Sequence, residues 1–275
     1  MKKYFILCLM ALCLAACSST QKPTKRQITV TIEPLRYFTE QIAGDKFTVN
    51  TMVPKGGNPE TYEPTPQQMV KLTESDLYIK VGSIGFERTW MKKLSQNAPH
   101  TIVIDSSEGI EPALSTNGIS DPHTWMSTVN AAQIANNIYT ALVQIDQKDS
   151  AFYRRNLENL ISTIEATDTQ VREQITRDKS AAFLIYHPAL TYFARDYQLL
   201  QIPVEEEGRE PSAAQIQKTI QLAKAMKVKV MFVQQEFQTR NTQVVSQGVG
   251  TEMVNINPLS YNWSQEMIDI AKKLK

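Results

Sequence analysis

The chain has 275 residues, with 29 Lys and Arg against 28 Asp and Glu and a formal net charge of +1. So even a balance, with no basic stripe carrying interleaved aromatics, excludes nucleic acid as a partner. The three cysteines all fall within the first 17 residues, which rules out a disulfide-stapled scaffold.

Lys2 and Lys3, an apolar run over residues 4–14 and then Leu14-Ala15-Ala16-Cys17 follow the order of an export signal. The run is shorter than the roughly 20 apolar residues that a spanning helix needs. A small-residue pair directly before a cysteine resembles the lipobox of bacterial lipoproteins. That resemblance implies removal of residues 1–16 and a lipid on Cys17 that holds the mature chain to a bacterial membrane, in the periplasm or at the cell surface. Cys8 and Cys13 leave with the signal, so no thiolate remains for a metal site. Residues 17–26, polar and interrupted by Pro23, suit a flexible tether.

β-Rich runs at 28–32, 47–53, 77–81 and 101–104 alternate with helical stretches, the pattern of an α/β lobe with a mainly parallel sheet. Between the second and third, Thr65-Pro66-Gln67-Gln68 carries a helix start: an N-cap threonine, a proline in the first turn and a glutamine that closes a capping box. From 148 to 178 the period becomes helical without a Gly or Pro, and Leu157, Leu160, Ile161, Ile164, Val171 and Ile175 fall on one stripe. Strand and helix alternation resumes at 181–186, 200–204, 228–233 and 253–256, with a second capping box at Ser212 and Gln215. The expected layout is a signal over 1–16, a tether over 17–26, an N-terminal lobe over 27–146, a linking helix over 147–179 and a C-terminal lobe over 180–275. No sequence repeat relates the two halves.

Three histidines occur. His100 precedes a strand and reads as a surface residue. His123 lies in Asp121-Pro122-His123-Thr124-Trp125, and His187 follows an apolar strand in Tyr186-His187-Pro188, at the carboxyl end where ligands of open α/β sheets gather. Either histidine alone reads more readily as structural or exposed than as a ligand. A Gly- and Pro-rich loop, Gly56-Gly57-Asn58-Pro59-Glu60-Thr61-Tyr62-Glu63-Pro64-Thr65-Pro66, joins the second strand to the capped helix.

This loop resembles the G-x-x-P-H-x-Y-E-P-T/S-P segment of the zinc and manganese substrate-binding proteins of ABC importers, the cluster A-I group. Ile42-Ala43-Gly44-Asp45, the His123 segment, the long helix, His187, Glu205-Glu206-Glu207-Gly208 with Glu210-Pro211-Ser212, and Asn257-Pro258-Leu259 extend the likeness in order along the mature chain. The resemblance implies a metal cleft between two lobes and four ligands from four loops: Glu60, where the family usually has histidine; His123; His187, a histidine in the zinc members; and Asn257, where an aspartate is usual. Two imidazoles and a carboxylate suit Zn2+ first, with Mn2+ second. That shell carries −1 against +2; Glu63 or one of the consecutive acids at 205–207 could supply the missing charge, although Glu63 matches a position that packs near the loop and such a run reads more readily as solvated surface. The partners so implied are a membrane permease and its ATPase, with the binding protein a monomer. The sequence has no H-E-x-x-H helix, nucleophile elbow or paired catalytic acids, so an enzyme is not expected. The alternatives are an adhesin or structural lipoprotein of the same fold that has lost transport and, behind it, a metal-dependent hydrolase.

Overall fold

The computed structural model describes residues 25–114, 118, 120–175, 182–205, 210–237 and 239–274. The expected signal, Cys17, most of the tether and the distal end of the linking helix lie outside them.

Two four-stranded parallel sheets form the two lobes. The first comprises β1 (Arg26–Val30), β2 (Phe47–Thr51), β3 (Ser75–Lys80) and β4 (Ile102–Asp105), in the order β2-β1-β3-β4. The second comprises β5 (Ala182–Ile185), β6 (Leu200–Pro203), β7 (Val230–Gln234) and β8 (Glu252–Ile256), in the order β6-β5-β7-β8. The halves therefore share one topology that their sequences do not betray. In each, the chain leaves the first strand for one neighbour and then crosses to the other side, which opens a crevice at the carboxyl ends.

The first lobe carries α1 (Glu33–Ala43), α2 (Pro66–Thr73), α3 (Gly85–Asn97) and α4 (Thr128–Ile145). The second carries α6 (Thr191–Tyr197), α7 (Ala213–Ala225), α8 (Arg240–Val249) and α9 (Trp263–Lys272). Both expected capping boxes form: the Thr65 side chain accepts the Gln68 amide while the Gln68 side chain accepts that of Thr65, and Ser212 and Gln215 do the same. Arg26, assigned by composition to the tether, opens β1. Its guanidinium is held by Asp76 at 2.8 Å and lies over the Phe47 ring, contacts that no local pattern announces.

Between the lobes runs α5 (Ser150–Gln174), preceded by a 3-10 turn at Gln147–Asp149. Its 25 residues span about 38 Å at 1.5 Å per residue. Tyr153, Leu157, Leu160, Ile164, Thr167 and Val171 form its buried stripe, packed against α1, α4 and α9. One apolar core runs through both lobes, from Ile28, Phe38 and Leu77 to Phe183, Phe232 and Trp263. Because side chains alternate along a strand, Leu184, Tyr186, Met231 and Val233 face the other way, into a second cluster of the C-terminal lobe. Trp125 and Trp263 fasten the junction: Trp125 Nε1 donates to the Pro258 carbonyl and Trp263 Nε1 to the Trp125 carbonyl, each at 2.7 Å. Among the described residues no helix is long and apolar enough to cross a membrane.

Candidate metal centre

The loop after β2 is fixed before it reaches the cleft. Gln68, placed by its capping box, also donates to the Met52 carbonyl at 2.6 Å and accepts the Tyr62 hydroxyl at 2.9 Å. Asn58 Oδ1 accepts the Glu60 amide at 2.9 Å, and the Phe86 amide donates to the Pro59 carbonyl at 2.8 Å. The Glu60 carboxylate then rests on the start of α3, accepting the Gly85 amide at 3.1 Å, with the Arg88 guanidinium at 3.4 Å. Gly85 is required here, because a Cβ at that position would lie 2.4 Å from Glu60 Oε2 and 2.6 Å from its carbonyl oxygen.

His123 is buried on the segment between β4 and α4. Its amide and its Nδ1 both contact Asp121 Oδ1, at 2.8 and 2.7 Å. Burial alone would raise the Asp121 pKa, but the charge and hydrogen bonds of His123 and the Thr191 hydroxyl outweigh it and hold the carboxyl below its ordinary range. Burial likewise pulls the His123 pKa down most strongly, and Asp121, joined by Glu60 and Glu205, reverses it to a net rise. An ionised carboxylate has no hydrogen to give, so Nδ1–H donates to Asp121 and Nε2 carries the lone pair.

His187 repeats the arrangement from the opposite lobe. It follows β5, and its Nδ1 lies 2.7 Å from Glu205 Oε1, two residues past the end of β6. Glu205, expected on the solvated surface with its acidic neighbours, is instead 3% exposed. The geometry of the strand end turns it inward onto the imidazole. Glu206 and Glu207 lie outside the described residues.

Each histidine thus has a buried carboxylate behind it, the pairing that fixes ring orientation and raises ligand basicity at metal sites. The two Nε2 atoms face one another at 3.3 Å. With both lone pairs turned inward, that approach is repulsive unless a cation or a proton sits between them. Ligand atoms of Glu60, His123 and His187 all lie within 4.8 Å of one another. Aromatic faces hold the rings: Phe237 stacks on His187 at 4.8 Å, and Trp125 packs against His123 at 5.2 Å. The cavity, of about 30 Å³, has room for an ion and not for an organic substrate, whose pockets run to hundreds of cubic ångströms.

Asn257 does not join the other three expected residues. It is exposed, its Oδ1 accepts the Leu259 amide at 3.1 Å, and Pro258 and Leu259 line the cleft beside it. His100 and Glu63 are exposed and away from the cleft. The sequence does not single out Asp121 as a working residue, although its place two residues before the histidine is a signal. Glu205 enters there only as one of several acids that could balance charge, with the solvated surface as the readier reading.

Behind the three potential donors, one of them the Glu60 carboxylate, stand the two further carboxylates of Asp121 and Glu205, which answer the charge deficit that the donors alone would leave against a divalent ion. The family model of the zinc-uptake complex component A, periplasmic, matches residues 28–274. The high-affinity zinc uptake system protein ZnuA of Bacillus subtilis (strain 168) is 25% identical over 300 aligned residues, covering 98% of this chain and 93% of its own. The manganese ABC transporter substrate-binding lipoprotein PsaA of Streptococcus mitis is 30% identical, covering 88% of this chain and 84% of its own. A crystal structure of ZnuA superposes with a TM-score of 0.86 at 34% identity, covering 91% of this chain and 98% of the other.

Proposed function

The chain belongs to the zinc-uptake complex component A family, the substrate-binding proteins that capture a metal ion and deliver it to an ABC importer, and from that premise we propose that its cargo is Zn2+ first and Mn2+ second. Glu60, His123 and His187 take the ion between the lobes. The observation that carries this reading is the 3.3 Å approach of two Nε2 atoms, each backed through its Nδ1 by a buried carboxylate. Two neutral imidazoles and one carboxylate oxygen favour zinc, whose tetrahedral shell accepts nitrogen and oxygen together, over the oxygen-rich shells that manganese prefers.

The mature protein works outside the cytoplasm as a monomer, tethered by lipid on Cys17, and hands its ion to a membrane permease driven by an ATPase. It binds rather than transforms, since the family is one of solute-binding proteins and the cavity, about 30 Å³, is of a size for an ion. Metal analysis of the domain starting after Cys17, dialysed against mixed Zn2+, Mn2+ and Fe2+, tests the reading beside Glu60→Ala, His123→Ala and His187→Ala. One equivalent of zinc, lost in the histidine variants, is expected. One equivalent of manganese would keep the importer role and overturn the cargo assignment. No metal at all would favour an adhesin or structural lipoprotein.

A further inference from the structure

The cleft holds one polar atom that the three converging residues leave unexplained. Gln234 is the last residue of β7, at the same carboxyl end of the sheet from which β5 delivers His187 and β6 delivers Glu205. It is 3% exposed and lines the cavity with Glu60, His123 and His187. Its Nε2 donates to the His187 carbonyl at 2.7 Å, which settles which end of the amide is which. Its Oε1 is buried, and no donor among the described residues reaches it. A buried carbonyl oxygen with both lone pairs unused is rare, because such an atom has lost water and gained nothing for it.

Resting on the metal-capture reading, we propose that Gln234 Oε1 supplies the fourth donor to the cargo ion, the role that family resemblance would give to Asn257. Asn257 is exposed and is not among the residues that line the cavity, and its Oδ1 accepts the Leu259 amide. Of the other polar side chains that line the cavity, Asn58 has its Oδ1 turned to the Glu60 amide of its own loop, and Glu236 stands outside the group whose ligand atoms converge. The donor set becomes two imidazole nitrogens and two oxygens, one of them neutral, a shell that zinc accepts in tetrahedral form. Gln234 also ties the ion to the backbone of His187, so that two ligands of the C-terminal lobe move as one.

Cobalt(II) reports the difference, since its visible ligand-field bands are intense in four-coordinate sites and change with each ligand exchanged. Co2+ spectra and Zn2+ affinities by chelator competition would be recorded for the wild-type domain, Gln234→Leu, Gln234→Glu and Asn257→Ala. Gln234→Leu is expected to shift and weaken the bands and to loosen Zn2+ by at least about tenfold. Gln234→Glu, with an anionic oxygen in the same place, is expected to keep intense bands at moved positions, and Asn257→Ala to leave spectrum and affinity unchanged. If Gln234 merely braced His187, the leucine variant would lose affinity with an unaltered spectrum, and that result would overturn the assignment. A spectral change in Asn257→Ala with none in the Gln234 variants would do so as well. Gln234→Glu keeps the test open should the leucine variant fail to fold. A wild-type domain that binds neither Co2+ nor Zn2+ would sink the capture reading itself, whereas normal wild-type binding with wild-type spectra in both Gln234 variants would sink only this inference.

Discussion

Gly85 touches no metal, yet its replacement should cripple the site. In Gly85→Ala the new Cβ would meet Glu60 Oε2 at 2.4 Å, the Glu60 carbonyl oxygen at 2.6 Å and its Cα at 2.8 Å. Two of these are backbone atoms, so a rotamer change cannot relieve the contact. The loop must withdraw by more than about half an ångström, whereas metal–ligand distances hold to within about 0.2 Å of their preferred values. Glu60 then leaves the shell or binds badly. The expected loss is about 10- to 100-fold in Zn2+ affinity, ~1.4–2.7 kcal/mol, measured by competition with a chromophoric chelator. Alanine suits the start of a helix better than glycine does, so α3 itself should not suffer. The decisive assay is a double-mutant cycle with Glu60→Ala. If the substitution acts through Glu60, it should cost almost nothing once the carboxylate has gone. An equal loss in both backgrounds, or full affinity in the single variant, would refute the reasoning.

Glu205→Ala, which leaves His187 Nδ1 without its carboxylate, should weaken Zn2+ roughly 100-fold, and Glu205→Gln, which still accepts the hydrogen bond, roughly tenfold; isothermal titration of the two variants checks the order. Metal affinity should fall with pH, and from a higher pH than a free imidazole would dictate, because the Asp121 charge, prevailing over burial, raises the His123 pKa and the proton competes for Nε2. A chelator titration repeated at descending pH measures this, and Asp121→Asn should move the onset downward. Chelator treatment should lower the melting temperature: an ion present at a thousand times its Kd stabilises the fold by about 4 kcal/mol, roughly 8–16 °C for a domain of this size. Trp125→Phe deprives the Pro258 carbonyl of its 2.7 Å partner and should cost about 1–3 kcal/mol in denaturant unfolding of the metal-free protein.

What the sequence disclosed was mostly local. Among the described residues each of the eight strands announces itself through a short apolar run, and α2 and α7 begin at caps, Thr65 with Gln68 and Ser212 with Gln215, whose geometry closes within four residues. His187 stood out for its place at a strand end, His123 for the Asp121-Pro122-His123-Thr124-Trp125 segment, and Glu60 through the family loop around it. Glu205 could be weighed only as one acid of a run that normally faces water, and it is the register of β6 against β5 that turns it toward an imidazole. Gln234 escaped because a glutamine at a strand end has no signature at all. For Asn257 the expectation came from the family resemblance, whereas its side chain accepts the Leu259 amide in a local turn. The common strand order of the two lobes was equally hidden, since topology can persist where residue identity has drifted.

The apolar core that passes from Phe38 and Leu77 through the stripe of α5 to Phe183 and Trp263 also governs how the molecule comes apart. A half-molecule cut at α5 would leave that seam bare to water, so neither half should persist as an independent folded fragment. Heating should accordingly give one calorimetric transition whose van't Hoff and calorimetric enthalpies agree. The same seam resists parting of the lobes, so ion release is expected to depend on small local shifts, with the β2–α2 loop that carries Glu60 the segment to watch.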